Sequence, residues 1–164
     1  MARIIADTSP LQYLHQIGYL HLLPALAGEV LVPPAVVAEL AAGRQLGLRL
    51  PDPTAIDWIT IQPSASLLAL PLAIDLGAGE REVLALGIET PDAVIVLDDA
   101  FARRVAQAIG LQITGTIGII LSAKQAGLIP TVTPLLEALK AHGFRLSRIT
   151  RTAVLKLAGE PQLP

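Results

Sequence analysis

Strand-like runs rich in Ile and Val recur along this chain too far apart to be joined as hairpins. They fall at residues 3–6, 29–32, 58–61 and 93–97, with a weaker one at 111–113. Helical patterns fill the intervals. "SPLQYLHQIG" and "PAVVAELAAG" each open on Pro and stop at Gly, and "GEREVLALG", "AFARRVAQAIG", "GTIGIILSAKQAG" and "TPLLEALKAHG" follow. Antiparallel neighbours need only a tight turn between them, whereas parallel ones need a long crossover, commonly a helix. The alternation therefore predicts an α/β fold of three α/β/α layers, with a mainly parallel central sheet and right-handed crossovers. Residues 44–53, with Gly, Pro and charge but no period, read as the most flexible loop. After Gly143 the rhythm stops, and "FRLSRITRTAVLKLAG" reads as a short strand and a closing helix capped by Thr150.

No repeat or composition break divides the chain. A single domain over residues 1–164 is expected, with a core over about 1–130 and a C-terminal extension over about 131–164. Apolar residues make up 52% and mean hydropathy is +0.59, yet charges, Pro or Gly interrupt every apolar run before it reaches a membrane span. Asp7 and Pro10 also fall where a signal peptide would need its apolar core. A cytoplasmic protein that places its apolar excess in a subunit interface fits this balance, and the absence of Cys suits a reducing compartment. Net charge is −2, but unevenly spread: residues 1–99 carry twelve acids and four bases, residues 100–164 two acids and eight bases. Such asymmetry suits a site that gathers carboxylates beside a flank facing a polyanion, or ordinary surface charge that happens to segregate.

Certain acids keep unusual company. "RIIADTSP" places Asp7 where a buried strand ends and a helix begins, with Thr8-Ser9-Pro10 reading as hydroxyl cap and first-turn Pro. "AVIVLDDAF" repeats the arrangement with Asp98 and Asp99. Glu39 borders the apolar stripe of Val36 and Leu40. Glu80 shares a helix face with Val83, Leu84 and Gly87, whereas Glu82 is expected to face solvent with Glu89. Each acid has a plain structural explanation: Asp7 and Asp99 as caps, Glu80 as a partner of the helix dipole, Glu39 as a surface partner of Arg44. Together they suggest something further. Carboxylates near a core are costly unless paired or metal-bound, and several on one rim raise one another's pKa values. A divalent cation removes the conflict, and all-oxygen ligation favours Mg²⁺ or Mn²⁺ over Zn²⁺ or Cu²⁺. That chemistry suits phosphodiester hydrolysis.

The order strand-Asp, helix-Glu, helix-acid, strand-Asp resembles the PIN domain, the fold of the VapC-like toxin ribonucleases of prokaryotic toxin–antitoxin pairs, and within it a poorly characterised subgroup of small prokaryotic proteins. The matching stretches are "DTSPLQYL", "VPPAVVAEL", "LGAGEREVLALG", "LDDAFARRVAQAIGL" and "TGTIGIILSAKQAGLI", with a weaker echo in "LLEALKAHGFRLS". The resemblance implies a Mg²⁺- or Mn²⁺-dependent endoribonuclease acting on RNA, commonly a homodimer and often silenced by a small antitoxin. It implies metal-ligand and catalytic roles for Asp7, Glu39, Glu80 and the pair Asp98/Asp99. Two departures stand out. The third acid is Glu80 where PIN nucleases usually carry Asp, and Leu97-Asp98-Asp99 leaves open which carboxylate is the last ligand, with Asp98 favoured.

Secondary candidates follow. Thr8 and Ser9 are potential contacts to a metal water or phosphate, and Thr116 heads a helix whose free N–H groups suit phosphate. Arg103, expected to face solvent, and Arg104, bordering the face of Phe101, Val105 and Ala108, are potential RNA contacts or structural ion-pair partners, as is Lys124. Arg145, Arg148, Arg151 and Lys156 read as a solvated basic tail, with an RNA-facing role as the lesser alternative. His15, His21 and His142 share no ligand spacing, and Trp58 reads as core. With aromatics at 3%, base stacking is not a major source of binding. The competing function is a catalytically inactive PIN-like module binding a protein partner or RNA. A phosphotransfer domain fits poorly, because Ser9 stands where a dehalogenase-type site wants a second Asp and Asp7 lacks the acidic neighbour of a receiver.

Overall fold

Ile4, Ile5 and Ala6 are fully buried, as a strand requires when it has neighbours on both edges and helices over both faces. The computed structural model describes residues 1, 3–65 and 75–162. In it β1 (Arg3–Ala6) is the middle strand of a five-stranded sheet with β2 (Glu29–Val32), β3 (Ile59–Ile61), β4 (Ala93–Val96) and β5 (Gln112–Thr114), in the order β3-β2-β1-β4-β5. Every pair is parallel, with Ile5 opposite Leu31 on one side and Ile95 on the other. Helices α1 (Thr8–Gln16), α2 (Leu22–Leu26), α3 (Pro34–Gln45), α4 (Ala78–Glu89), α5 (Ala100–Ala108), α6 (Thr116–Gln125), α7 (Thr133–Ala141) and α8 (Arg148–Ala158) flank it, and the architecture is α/β/α. Among the described residues no helix is long and apolar enough to cross a membrane.

This strand order dictates where a ligand can sit. From β1 the chain moves outward through β2 and β3, then returns to β4 on the opposite edge of β1. The order reverses between β1 and β4, and the connections leaving their carboxyl ends diverge to open a crevice. Asp7 and Asp98 stand just past those two strand ends.

Several local expectations need correction. Gly43 and Gly87 do not stop their helices: α3 runs on to Gln45 and α4 to Glu89. At Gly87 the missing side chain serves packing instead, since a Cβ there would lie 2.5 Å from Ile95 Cδ1. Helix α2 went unforeseen because five residues of "LLPAL" are too short for a period to emerge. Loop 44–53 is pinned, with Arg44 Nη1 donating to the Pro51 carbonyl at 2.6 Å and its guanidinium 3.8 Å from Asp52. The expected strand after Gly143 does not form, and Ser147, not Thr150, caps α8 by accepting from the Thr150 amide. Helices α7 and α8 are joined to the same core through Leu135, Leu136, Leu139, Val154 and Leu155. Glu160 completes the attachment: it accepts from the Val132 and Thr133 amides at the start of α7, from the Thr133 hydroxyl and from Lys124 Nζ.

Candidate active site

Asp7 is the N-cap residue of α1 by position but not by bonding. Its side chain makes no capping hydrogen bond, it is only 5% exposed, and its Oδ1 is buried without a partner. Burial pushes this carboxyl up to about 7, helped by the nearby charges of Glu80, Glu39 and Asp98. The Thr8 backbone amide pulls the other way. Capping therefore does not explain Asp7.

The two acids after β4 have separate surroundings. Asp98 accepts from the Thr116 amide at 2.8 Å and the Thr116 hydroxyl at 2.6 Å. Burial raises its pKa, while the Thr116 bonds and the Arg103 guanidinium act to lower it. Asp99 is exposed and caps α5 through the Ala102 amide at 2.8 Å. The expected open N–H at Thr116 is thus taken by Asp98 rather than left for a phosphate. Gly115 is needed for that approach, since a Cβ there would lie 2.9 Å from Asp98 Oδ1. Arg103 does not face solvent as expected: its Nη1 donates to the Leu97 carbonyl at 2.7 Å, bracing the turn that carries both acids. Arg104 is the exposed one, lying 5.7 Å over the Phe101 ring, and α5 buries Ala102 and Ala106 instead.

Glu39 is a clamp between elements. Its Oε1 accepts from the Gly79 amide in the first turn of α4 at 2.8 Å, and its Oε2 from the Thr8 hydroxyl at the start of α1. Thr8 therefore bonds Glu39 instead of capping its own helix, and Arg44 takes no part. Glu80 is half-buried in the first turn of α4, its carboxylate folded beside Gly77. Glu82 departs from the expected solvent-facing position: it accepts from the Ala35 amide at 2.8 Å and so caps α3. Lys124 is committed to Glu160 at 2.7 Å and Arg151 to Glu137, which removes both from the pool of free bases.

Asp7, Glu80, Asp98 and Asp99 line one open cavity of about 400 Å³, together with Ser9 and Tyr13 of α1 and the Gly143–Arg145 loop. The donor set suits a hard divalent cation. It offers carboxylate oxygen only, and a buried Asp7 oxygen awaits a partner. Among the described residues no group of three or more acidic or histidine side chains is arranged to hold a metal ion. An ion that keeps several of its waters needs only one or two carboxylates, so the fit holds through Asp7 with Asp98 and Glu80 beside it.

A parallel α/β sheet with carboxylates lining a cavity at its switch point has its candidate site where open α/β folds bind ligands. The chain matches a family model, DUF3368, described as a PIN domain, over residues 3–160, and it belongs to the PIN-domain family. No curated protein matches it significantly. PIN domains are generally nucleases that use divalent cations. The match extends past the point near residue 129 where the motif resemblance weakens, in keeping with the packing of α7 and α8. Reading the sequence for function missed the Gly79 amide, the Asp98–Thr116 pairing and the presence of Phe144 and Arg145 at the cavity. For Arg145 the signal was the excess of bases after residue 100, together with the RNA-facing alternative for the basic tail.

Proposed function

We propose that the protein is a Mg²⁺- or Mn²⁺-dependent endoribonuclease and the toxin of a toxin–antitoxin pair, working as a cytoplasmic homodimer restrained by a small antitoxin. The observation that carries the nuclease reading is the buried, unpartnered Asp7 oxygen at the switch point, facing the fields of Glu80, Glu39 and Asp98. The toxin role rests on the order of the motifs, which is similar to that of VapC-like ribonucleases. The homodimer is supported by apolar side chains left open to solvent, Leu46, Ile149 and Leu157 being 82%, 84% and 70% exposed.

Asp7, Asp98 and Glu80 would hold the cation, which lowers the pKa of an attacking water and offsets charge developing on the phosphate. Asp7 gives up the proton that burial favours and supplies a carboxylate at the floor of the cavity. Thr116 fixes Asp98 through both carboxylate oxygens, so this group needs no reorientation. Arg103 braces the Leu97–Asp98 turn from behind. Glu39 keeps the starts of α1 and α4 together, and so sets the spacing between Asp7 and Glu80. Asp99 shapes the rim as the cap of α5, and Ser9 lines the same cavity as a hydroxyl positioned for a phosphate oxygen.

The test is cleavage of a panel of single-stranded and structured RNAs with Mg²⁺ or Mn²⁺, against EDTA, with Asp7→Asn run in parallel. Cutting is expected to need the metal and to vanish in the folded variant. Cutting that survives either EDTA or Asp7→Asn overturns the mechanism. A second reading, an inactive module that binds RNA or a protein, is favoured by one observation: both oxygens of Glu39 are engaged by protein donors. Absence of metal-dependent cutting by the folded protein, freed of any antitoxin, would select it.

A further inference from the structure

The carboxylate cavity continues into a second concavity of about 680 Å³, and the two share Asp98, Phe144 and Arg145 as their common rim. The chemistry changes across that rim. Among the described residues Asp98 is the only acid lining the second concavity, and Arg103, Arg104 and Arg145 surround it with Gln107, Thr114 and Thr150. Arg103 is committed to the Leu97 carbonyl, but Arg104 and Arg145 are exposed and make no ion pair or hydrogen bond among the described residues. Arg145 stands on the short loop between α7 and α8, which Phe144 anchors through an edge contact with Tyr13, ring centroids 5.0 Å apart. The C-terminal segment thus brings a free guanidinium to the edge of the carboxylates from outside the strand-helix core. Helix α5 supplies a second from the opposite wall.

We infer that this groove is the path of the nucleic-acid strand on one side of the scissile phosphate, with Arg145 at the rim and Arg104 beyond it as backbone phosphate contacts. The inference rests on the nuclease reading and adds which face the strand follows. A polyanion is repelled by bare carboxylates, so binding energy has to come from cations outside the acidic cavity. Free guanidinium groups, five donors in a fixed fork, are suited to phosphate. A strand whose scissile phosphate sits beside Asp7 must leave the cavity over some part of its rim, and the Arg145 side leads into cationic ground. Few aromatics line it, so recognition is by phosphate rather than by stacking, which implies weak sequence preference from this groove.

The test measures binding without chemistry. A fluorescein-labelled single-stranded oligoribonucleotide is titrated with the full-length protein in EDTA at several salt concentrations, and anisotropy is read. Arg145→Gln and Arg104→Gln are compared with Lys140→Gln, which removes the same charge from an exposed residue of α7 outside the groove. Each groove variant is expected to weaken binding roughly five- to tenfold at low salt and to reduce the salt slope by about 0.7, the value for one single-strand phosphate contact. Lys140→Gln is expected to leave both close to wild type. The inference is overturned if the groove variants bind no worse than Lys140→Gln, or if the wild-type protein does not bind the oligonucleotide, which would turn the groove over to an acidic protein partner. Either result leaves the nuclease reading to the separate metal-dependent cleavage assay.

Discussion

Replacing Asp7 by Asn should make the metal-free protein more stable above neutral pH and less stable in acid. The carboxyl moves from an ordinary 3.8 to about 7 on folding. The folded state therefore holds a proton between those values that the unfolded chain has already lost, so stability falls as pH rises through that window and levels off above it. Burial is the main cause, with Glu80, Glu39 and Asp98 adding repulsion. A shift of about three units corresponds to about 4 kcal/mol at 1.36 kcal/mol per unit. Burying an Asn amide with imperfect partners costs about 1–3 kcal/mol, so the net gain at pH 8 should be about 1–3 kcal/mol.

Urea unfolding followed by circular dichroism, in EDTA between about pH 4.5 and 8.5, measures this directly. The wild-type and variant curves should cross, with the wild type the more stable towards the acid end and the variant the more stable at the alkaline end. Saturating Mg²⁺ should then restore the wild type through binding to the folded state alone, and do little for Asp7→Asn. A structural cap behaves in the opposite sense: its loss destabilises the helix and leaves no pH signature of this sign. If Asp7→Asn is less stable than wild type at pH 8 in EDTA, or if the difference does not change with pH, the reasoning from burial and the open Asp7 oxygen fails.

Gly79→Ala should lose about 1–2 kcal/mol even though Ala is the better helix former, because its Cβ would stand 2.6 Å from Glu39 Oε2 and disturb the Glu39 clamp. Thermal unfolding checks this, and an unchanged or raised Tm would mean that Glu39 moves aside freely. At Glu160 burial acts to raise the pKa, but hydrogen bonds from Lys124, Val132 and Thr133 prevail and hold it at about 2, against an ordinary 4.5. Its contribution is thus present above about pH 4.5 and lost as pH falls towards 2. Glu160→Gln should cost about 1.5–3 kcal/mol at pH 7, and less in acid. Denaturant curves at the two pH values would refute this if the loss were equal in both.

The strand order and the site are two readings of one pattern, but they were not equally legible. Where the strands lie was plain from Ile and Val runs, with boundaries within a residue: 93–97 closes at Val96, and 111–113 shifts to Gln112–Thr114. Glycine punctuation misled at Gly43 and Gly87, since a helical Gly can serve close packing as well as termination. Of the acids, Asp99 could be read as the cap of its own helix, but the partners of Glu39, Glu82 and Asp98 could not be read. Helical spacing places Glu80 on an apolar face and Glu82 off it, but a polar side chain off that face is free to reach a neighbouring element, and Glu82 does so at the Ala35 amide. Likewise Thr8, a cap by local rule, is drawn to Glu39 from a distant helix.

These misses share a cause that bears on function. Among the acids, each local rule failed where a carboxylate found donors on another element, and those cross-element bonds surround Asp7, one oxygen of which found none. Glu39 is satisfied by Thr8 and Gly79, Glu82 by Ala35 and Asp98 by Thr116, while Asp7 Oδ1 stays bare beside them. A fold that provides donors for Glu39, Glu82 and Asp98 and withholds one from an oxygen of the more deeply buried Asp7 carries a cost of several kcal/mol at neutral pH. That cost is offset only when something positively charged arrives at Asp7, which makes the exception at Asp7, rather than the number of acids nearby, the strongest argument for a cation at this site.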